Sequence, residues 1–205
     1  MSFLPIDYYP WLLQIDLSDE IDDEMNNKLF EQCIESDDEE RPELEKNSYN
    51  TRMKDTDELM NLYNLFKVGC HKMFSNIPEN CLSQNPQKSH GYAYVSYGEK
   101  RYDSYWHNHC NRATINSVYY VSVPDDNGSL GVMTEICKEK KVTPLEKHLY
   151  LMPGWLSHKP YPCKSEEPRI SINMEFLSDT RAILKPDNFD ISEYESWDAN
   201  SFILW

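Results

Sequence analysis

Three of the six histidines fall in two short contexts. His107 and His109 lie in YWHNHCN, and His158 lies in PGWLSHKPYP. On a strand, residues i and i+2 point to the same face, so His107 and His109 can aim two imidazoles into one space. That is the simplest way for a sheet to offer two metal ligands. Eleven residues beyond His158 stands Arg169, the first residue of RISINMEF. Read as a strand, this run puts Arg169, Ser171, Asn173 and Glu175 on one face and Ile170, Ile172, Met174 and Phe176 on the other. An inward polar face with a guanidinium is costly unless it holds a buried anion, and a guanidinium grips a carboxylate through two parallel hydrogen bonds. The polar, proline-containing turn between His158 and Arg169 is expected to set them on neighbouring antiparallel strands. His71, His90 and His148 have no such pairing and read as structural.

These residues need a scaffold, and the chain shows two grammars. Residues 18–35 read as a helix capped by Ser18, with Asp19 and Glu20 at its positive end and Ile21, Met25, Leu29 and Cys33 at every fourth position. Residues 56–75 read as a second helix, with Leu59, Leu62, Tyr63, Phe66, Cys70, Met73 and Phe74 on one stripe and Asp55 and Glu58 spaced as a capping box. From residue 90 short β-rich runs follow one another: HGYAYVSYGEK, RYDSYWHNH, ATINSVYYVSVP, GSLGVMTEIC, EKHLYLMPGWLSH and RISINMEFLS. PDDNG, residues 124–128, marks a turn between two of them. Strands without intervening helices imply an antiparallel, mainly β fold with the helices on one side, closed as a small barrel or sandwich.

Composition removes several classes. The chain has 205 residues and a formal charge of −15, which argues against nucleic acid and against anionic membranes as partners. The acidity is peripheral: residues 16–48 carry 14 acids against 3 bases, and 186–205 carry 5 acids and no base. The stretch 49–185 is nearly neutral, with 17 bases and 15 acids. Residues 36–47 read as a solvated loop. The opening residues lack a signal peptide's basic region, and no apolar run is long enough for a membrane helix. The six cysteines contain no CxxC pair and read as reduced thiols of a cytoplasmic protein, or of the host cytoplasm for a virus-encoded one. The expected partner is a small-molecule or peptide substrate; a homodimer is left open.

The pattern resembles the iron(II) and 2-oxoglutarate-dependent oxygenases, whose signature is His-x-Asp/Glu, a distal His, and about ten residues later an Arg, often within Arg-x-Ser. WHNHCNRATINSVYYVSVPDDNG and LYLMPGWLSHKPYPCKSEEPRISINMEF are similar to a prolyl-hydroxylase-like branch from bacteria and phages, over about residues 90–178. The resemblance implies a double-stranded β-helix (jelly-roll) with helices packed on one sheet. The whole chain, 1–205, would then be a single domain, with helical support at 18–75 and an acidic tail at 186–205.

It further implies His107, His109 and His158 as metal ligands, Arg169 with Ser171 as a clamp for the distal carboxylate of 2-oxoglutarate, and Tyr120 touching the same carboxylate. Alternation agrees, since Tyr120 shares a face with Asn116, Val118 and Ser122, opposite Ile115, Val121 and Val123. The implied cofactors are Fe(II) and 2-oxoglutarate, with O2 as second substrate, and the implied reaction hydroxylates a C–H bond as 2-oxoglutarate becomes succinate. His109 departs from the superfamily's carboxylate, which makes zinc or nickel live candidates. Asp103 is an alternative carboxylate. Tyr105, Trp106, Tyr119 and Trp155 flank the ligand segments as core or pocket wall. Two other readings stay open: a cupin-type metal enzyme not using 2-oxoglutarate, and a non-catalytic jelly-roll binding module.

Overall fold

The computed structural model describes residues 12–40, 51–73, 91–96, 105–109, 113, 115–133 and 138–176. Nine strands and two helices follow in the order β1 (Leu13–Asp16), α1 (Asp23–Glu40), β2 (Thr51–Arg52), α2 (Asp57–Met73), β3 (Gly91–Ser96), β4 (Ile115–Ser122), β5 (Leu130–Met133), β6 (Glu139–Val142), β7 (His148–Pro153), β8 (His158–Pro160) and β9 (Arg169–Phe176). All pairings are antiparallel. A six-stranded sheet runs β1-β7-β4-β9-β3-β2, and a three-stranded sheet runs β6-β5-β8. No described helix is long and apolar enough to cross a membrane.

The large sheet is covered on both faces. On one, Ile15, Leu149, Leu151, Tyr119, Ile170, Ile172 and Met174 pack with Ile21, Leu29 and Cys33 of the α1 region and Leu62, Leu65 and Phe66 of α2. On the other, Val118, Tyr120, Tyr150 and Met152 meet Leu130, Val132 and Val142 of the small sheet. Each fully buried large apolar side chain contributes about 1.5–3 kcal/mol, so the two clusters account for the layering. β4 and β7, each buried along nearly its whole length, contribute side chains to both.

Both helices form where their apolar spacing falls, but their caps differ from expectation. Ser18 lies in a turn, its N–H and hydroxyl both donating to Asp16 Oδ1. Asp22 caps α1 instead, accepting from the Met25 N–H at 2.8 Å. Thr56 rather than Asp55 caps α2, accepting from the Leu59 N–H at 3.2 Å, while Glu58 lies 3.4 Å from Lys28. The acidic residues 36–40, expected in a loop, continue α1, with Ser36 buried.

β1, β2 and β6 escaped the sequence reading because each is short and lies outside the β-rich runs; β6 is the edge sequence EKKV, whose lysines protect an edge rather than advertise a strand. Val123 packs on the small-sheet side instead of with Val121, because a bulge between Tyr120 and Ser122 breaks the alternation. At that bulge Asn26 of α1 donates to the Val121 carbonyl at 2.9 Å and accepts from Tyr119 Oη at 2.8 Å. Cys33, Cys70 and Cys163 are buried and form no disulfide among the described residues. The tail 186–205, His90 and Asp103 lie outside the described residues.

The turn after β7 depends on close backbone approach. A Cβ on Gly154 would lie 1.8 Å from the Ala113 carbonyl oxygen, and the Gly154 carbonyl accepts from the His109 N–H at 2.6 Å. Gly154→Ala is expected to cost about 1–3 kcal/mol through forced backbone shifts. Urea denaturation of the metal-free protein checks this.

Candidate metal centre

The segment 105–109 does not form the strand expected of RYDSYWHNH; among the described residues it makes one antiparallel bridge, His107 to His158. The two residues exchange backbone hydrogen bonds, His107 N to His158 O at 3.1 Å and His158 N to His107 O at 2.9 Å. Such a directly opposed pair projects its side chains to one face, and His109, two residues on, joins them. Ring centroids are 4.5 Å apart for His107 and His158, 5.1 Å for His109 and His158, and 5.4 Å for His107 and His109. One ring nitrogen from each lies within 4.8 Å of the other two.

The far side of each ring fixes its tautomer. His158 Nδ1 is 3.0 Å from the Leu156 carbonyl, His109 Nδ1 is 2.5 Å from Glu175 Oε1, and His107 Nδ1 is 3.4 Å from the Tyr105 carbonyl. Each of these oxygens accepts, so each Nδ1 donates its proton and each Nε2 keeps a lone pair. This is the usual outer support of metal-bound histidine. Burial holds the His158 imidazole down to a pKa of about 3, with neighbouring His107 and His109 adding to the depression and the Leu156 carbonyl opposing it. Three converging imidazoles fit a borderline metal such as Fe(II), Zn(II) or Ni(II), and three protein ligands leave positions for a small molecule.

The cavity beside the histidines measures about 70 Å³, several times what one water needs. Asn116, Val118 and Tyr120 of β4 and Arg169, Ser171 and Asn173 of the adjacent β9 line one wall, and Leu130, His158 and Pro160 of the small sheet line another. The two strands are in register, with Tyr120 beside Ser171. Arg169 is 2% exposed. Its Nη1 donates to the Asn127 carbonyl at 2.6 Å and the Tyr161 carbonyl at 2.8 Å, whereas the buried Nη2 meets no acceptor among the described residues. The buried Asn116 Oδ1 is likewise unpartnered, and Asn116 Nδ2 lies 3.4 Å from His158 Nε2. An anion or polar ligand in the cavity would satisfy the atoms left unpartnered among the described residues.

His158 and Arg169 are not on neighbouring strands. β8 belongs to the small sheet and β9 to the large one, so the residues between them cross from one sheet to the other, and the two side chains meet across the cavity. The turn around Asn127 holds this crossing in place. Gly128 has φ 77°, and a Cβ there would lie 2.3 Å from the Pro162 carbonyl oxygen and 2.7 Å from that of Tyr161. Only glycine lets the crossing segment come near enough for the Asn127 and Tyr161 carbonyls both to reach Arg169.

Of the flanking aromatics, Tyr119 is buried on the helix side, Tyr105 and Trp155 are exposed, and Trp106 sits under Lys159 Nζ, 4.8 Å from its ring centre. None lines the cavity. His148 is on β7, its Nδ1 donating to the Glu146 carbonyl. Sequence reasoning placed Glu175 on the Arg169 face without giving it a partner; that alternation was the available signal. The supporting carbonyls of Leu156, Asn127 and Tyr161 leave no side-chain trace to read.

The depressed His158 pKa has a stability consequence. Between about pH 6.5 and about pH 3 the unfolded chain binds a proton at His158 that the folded, metal-free chain refuses. Its contribution is therefore complete above 6.5 and is lost as pH falls towards 3. His158→Gln is expected to flatten this limb, the gap between variant and wild type changing by a few kcal/mol on the order set by linkage. Denaturant midpoints across that pH range, with chelator present, measure it.

No protein-family model and no curated protein matches the sequence. Solved structures do match. A Pseudomonas putida prolyl-4-hydroxylase superposes with a TM-score of 0.58 at 16% identity, covering 84% of this chain and 92% of the other. The viral collagen prolyl hydroxylase of Paramecium bursaria Chlorella virus 1 gives 0.54 at 14% identity, covering 85% and 97%. The non-heme alpha-ketoglutarate-dependent carbocyclase SnoK of nogalamycin biosynthesis gives 0.64 at 9% identity, covering 89% and 85%. The chain thus shares the fold of these 2-oxoglutarate-dependent enzymes and prolyl hydroxylases.

Proposed function

We propose that the chain is an iron(II)- and 2-oxoglutarate-dependent oxygenase that hydroxylates a small-molecule or peptide substrate. The observation that carries this reading is the Arg169 guanidinium, buried with Nη2 unpartnered among the described residues, in the same cavity as three converging histidines. A buried cation of this kind requires an anion, and a cosubstrate with a carboxylate at each end serves cation and metal together.

His107, His109 and His158 would hold the metal through Nε2. Arg169 would take the distal carboxylate, with the Ser171 hydroxyl and Tyr120 beside it, and Nη1, already tied to two backbone carbonyls, keeps the guanidinium plane from turning. Asn116, next to His158, can orient a polar group near the metal. Val118, Leu130 and Pro160 supply the apolar lining that limits water. The bound iron and cosubstrate supply the oxidation, in which 2-oxoglutarate and O2 yield succinate, CO2 and a hydroxylated product.

His109 in place of a carboxylate favours a second reading, a cupin-type metal enzyme that does not use 2-oxoglutarate. Anaerobic titration with 2-oxoglutarate after Fe(II) loading, then succinate release in air, separates the two. Tight binding and succinate release are expected. Arg169→Ala should weaken 2-oxoglutarate about a hundredfold or more, the scale of removing one partner of a buried charge pair, and His158→Ala should abolish metal-dependent binding. Metal binding without 2-oxoglutarate binding transfers the weight to the cupin-type reading, and neither transfers it to a non-catalytic module.

A further inference from the structure

Beside the histidine cluster stands a carboxylate that is not one of its three converging residues. Glu175 Oε1 lies 2.5 Å from His109 Nδ1, with side chains 17% and 6% exposed. Glu175 ends the polar face of β9 that begins at Arg169 and is paired in register with Asn116 of β4. We propose that Glu175 is a positioning residue that supplies, through His109, the negative charge a carboxylate ligand would give the metal, and holds that ring with Nε2 turned to the other two histidines. The proposal rests on the metal reading of the cluster.

Three neutral imidazoles leave a divalent cation's charge undiminished in a poorly solvated cavity. The other two Nδ1 atoms meet uncharged backbone carbonyls, from Leu156 and Tyr105. At His109 the acceptor is an anion in a short, mostly buried, charge-assisted bond. Such an acceptor draws on the Nδ1 proton and makes Nε2 the stronger donor. His109 thus acts as a relay: it ligates as a histidine and brings Glu175's charge to within one ring of the metal. A solvent-exposed pair would contribute little. Burial at both ends is what makes this one matter.

Co(II) titration of the full chain, followed by visible absorption, tests the proposal in four forms: wild type, Glu175→Gln, His109→Asp and the double variant. Glu175→Gln keeps the size and an acceptor but removes the charge, and should weaken Co(II) about ten- to a hundredfold and shift its absorption bands. In the His109→Asp background, where a carboxylate can ligate directly, the same change should leave affinity unchanged or raise it, because two carboxylates no longer compete. Equal losses in both backgrounds, or no change in the first, overturn the proposal alone. A wild type that binds no Co(II) overturns the metal reading and this proposal with it. ¹⁵N shifts of the metal-free wild-type histidines give a reading that needs no variant: His109 protonated at Nε2 rather than Nδ1 overturns the proposal.

Discussion

The closed pair of backbone hydrogen bonds between His107 and His158 is the constraint on which the site depends. It joins a segment that otherwise makes little regular structure to the edge of a three-stranded sheet. An opposed antiparallel pair leaves no freedom in which face its side chains take. Once it forms, His109 follows from the period of two, and the Gly154 carbonyl accepting from its N–H fixes the far end. The histidine cluster is therefore assembled by main chain, and the imidazoles need only the local acceptors at Nδ1 to choose their tautomers.

β9 provides the second half of the site on the opposite sheet. Its apolar face lies under the helices, and its polar face runs from a guanidinium at one end to a carboxylate at the other. One short strand thus addresses both the proposed cosubstrate and the metal, with its register against β4 setting the distance between them. α1 takes part without reaching the cavity. Asn26 accepts from Tyr119 and donates to the carbonyl at the bulge after Tyr120, so the helix stabilises the irregularity where the cavity wall ends.

Residue type and period made the grouping of the candidate site residues legible. His107, His109, His158, Arg169, Ser171 and Tyr120 converge on one cavity as their spacing and the family resemblance implied. α2 stands within two residues of its expected ends, whereas α1 is displaced five residues along the chain from its expected 18–35. What could not be read was whatever the backbone decides: the caps at Asp22 and Thr56, the short edge strands, and the crossing between sheets that separates His158 from Arg169. That crossing depends on Gly128 and on carbonyls whose side chains carry no message. The expected adjacency of His158 and Arg169 failed because a proline-containing link reads the same whether it reverses within a sheet or passes to the next.

On the proposed function, the Arg169 guanidinium, half-satisfied among the described residues, would tie the protein's folding to its ligand. A buried cation with one arm unpaired costs stability, and an anion that binds only the folded chain would return it by mass action. On the proposed function, the folded population would rise with the supply of a central-carbon dicarboxylate, and the unoccupied protein would be the form most exposed to proteolysis. Abundance would then follow the cosubstrate pool, with the binding arginine serving also as the reporter.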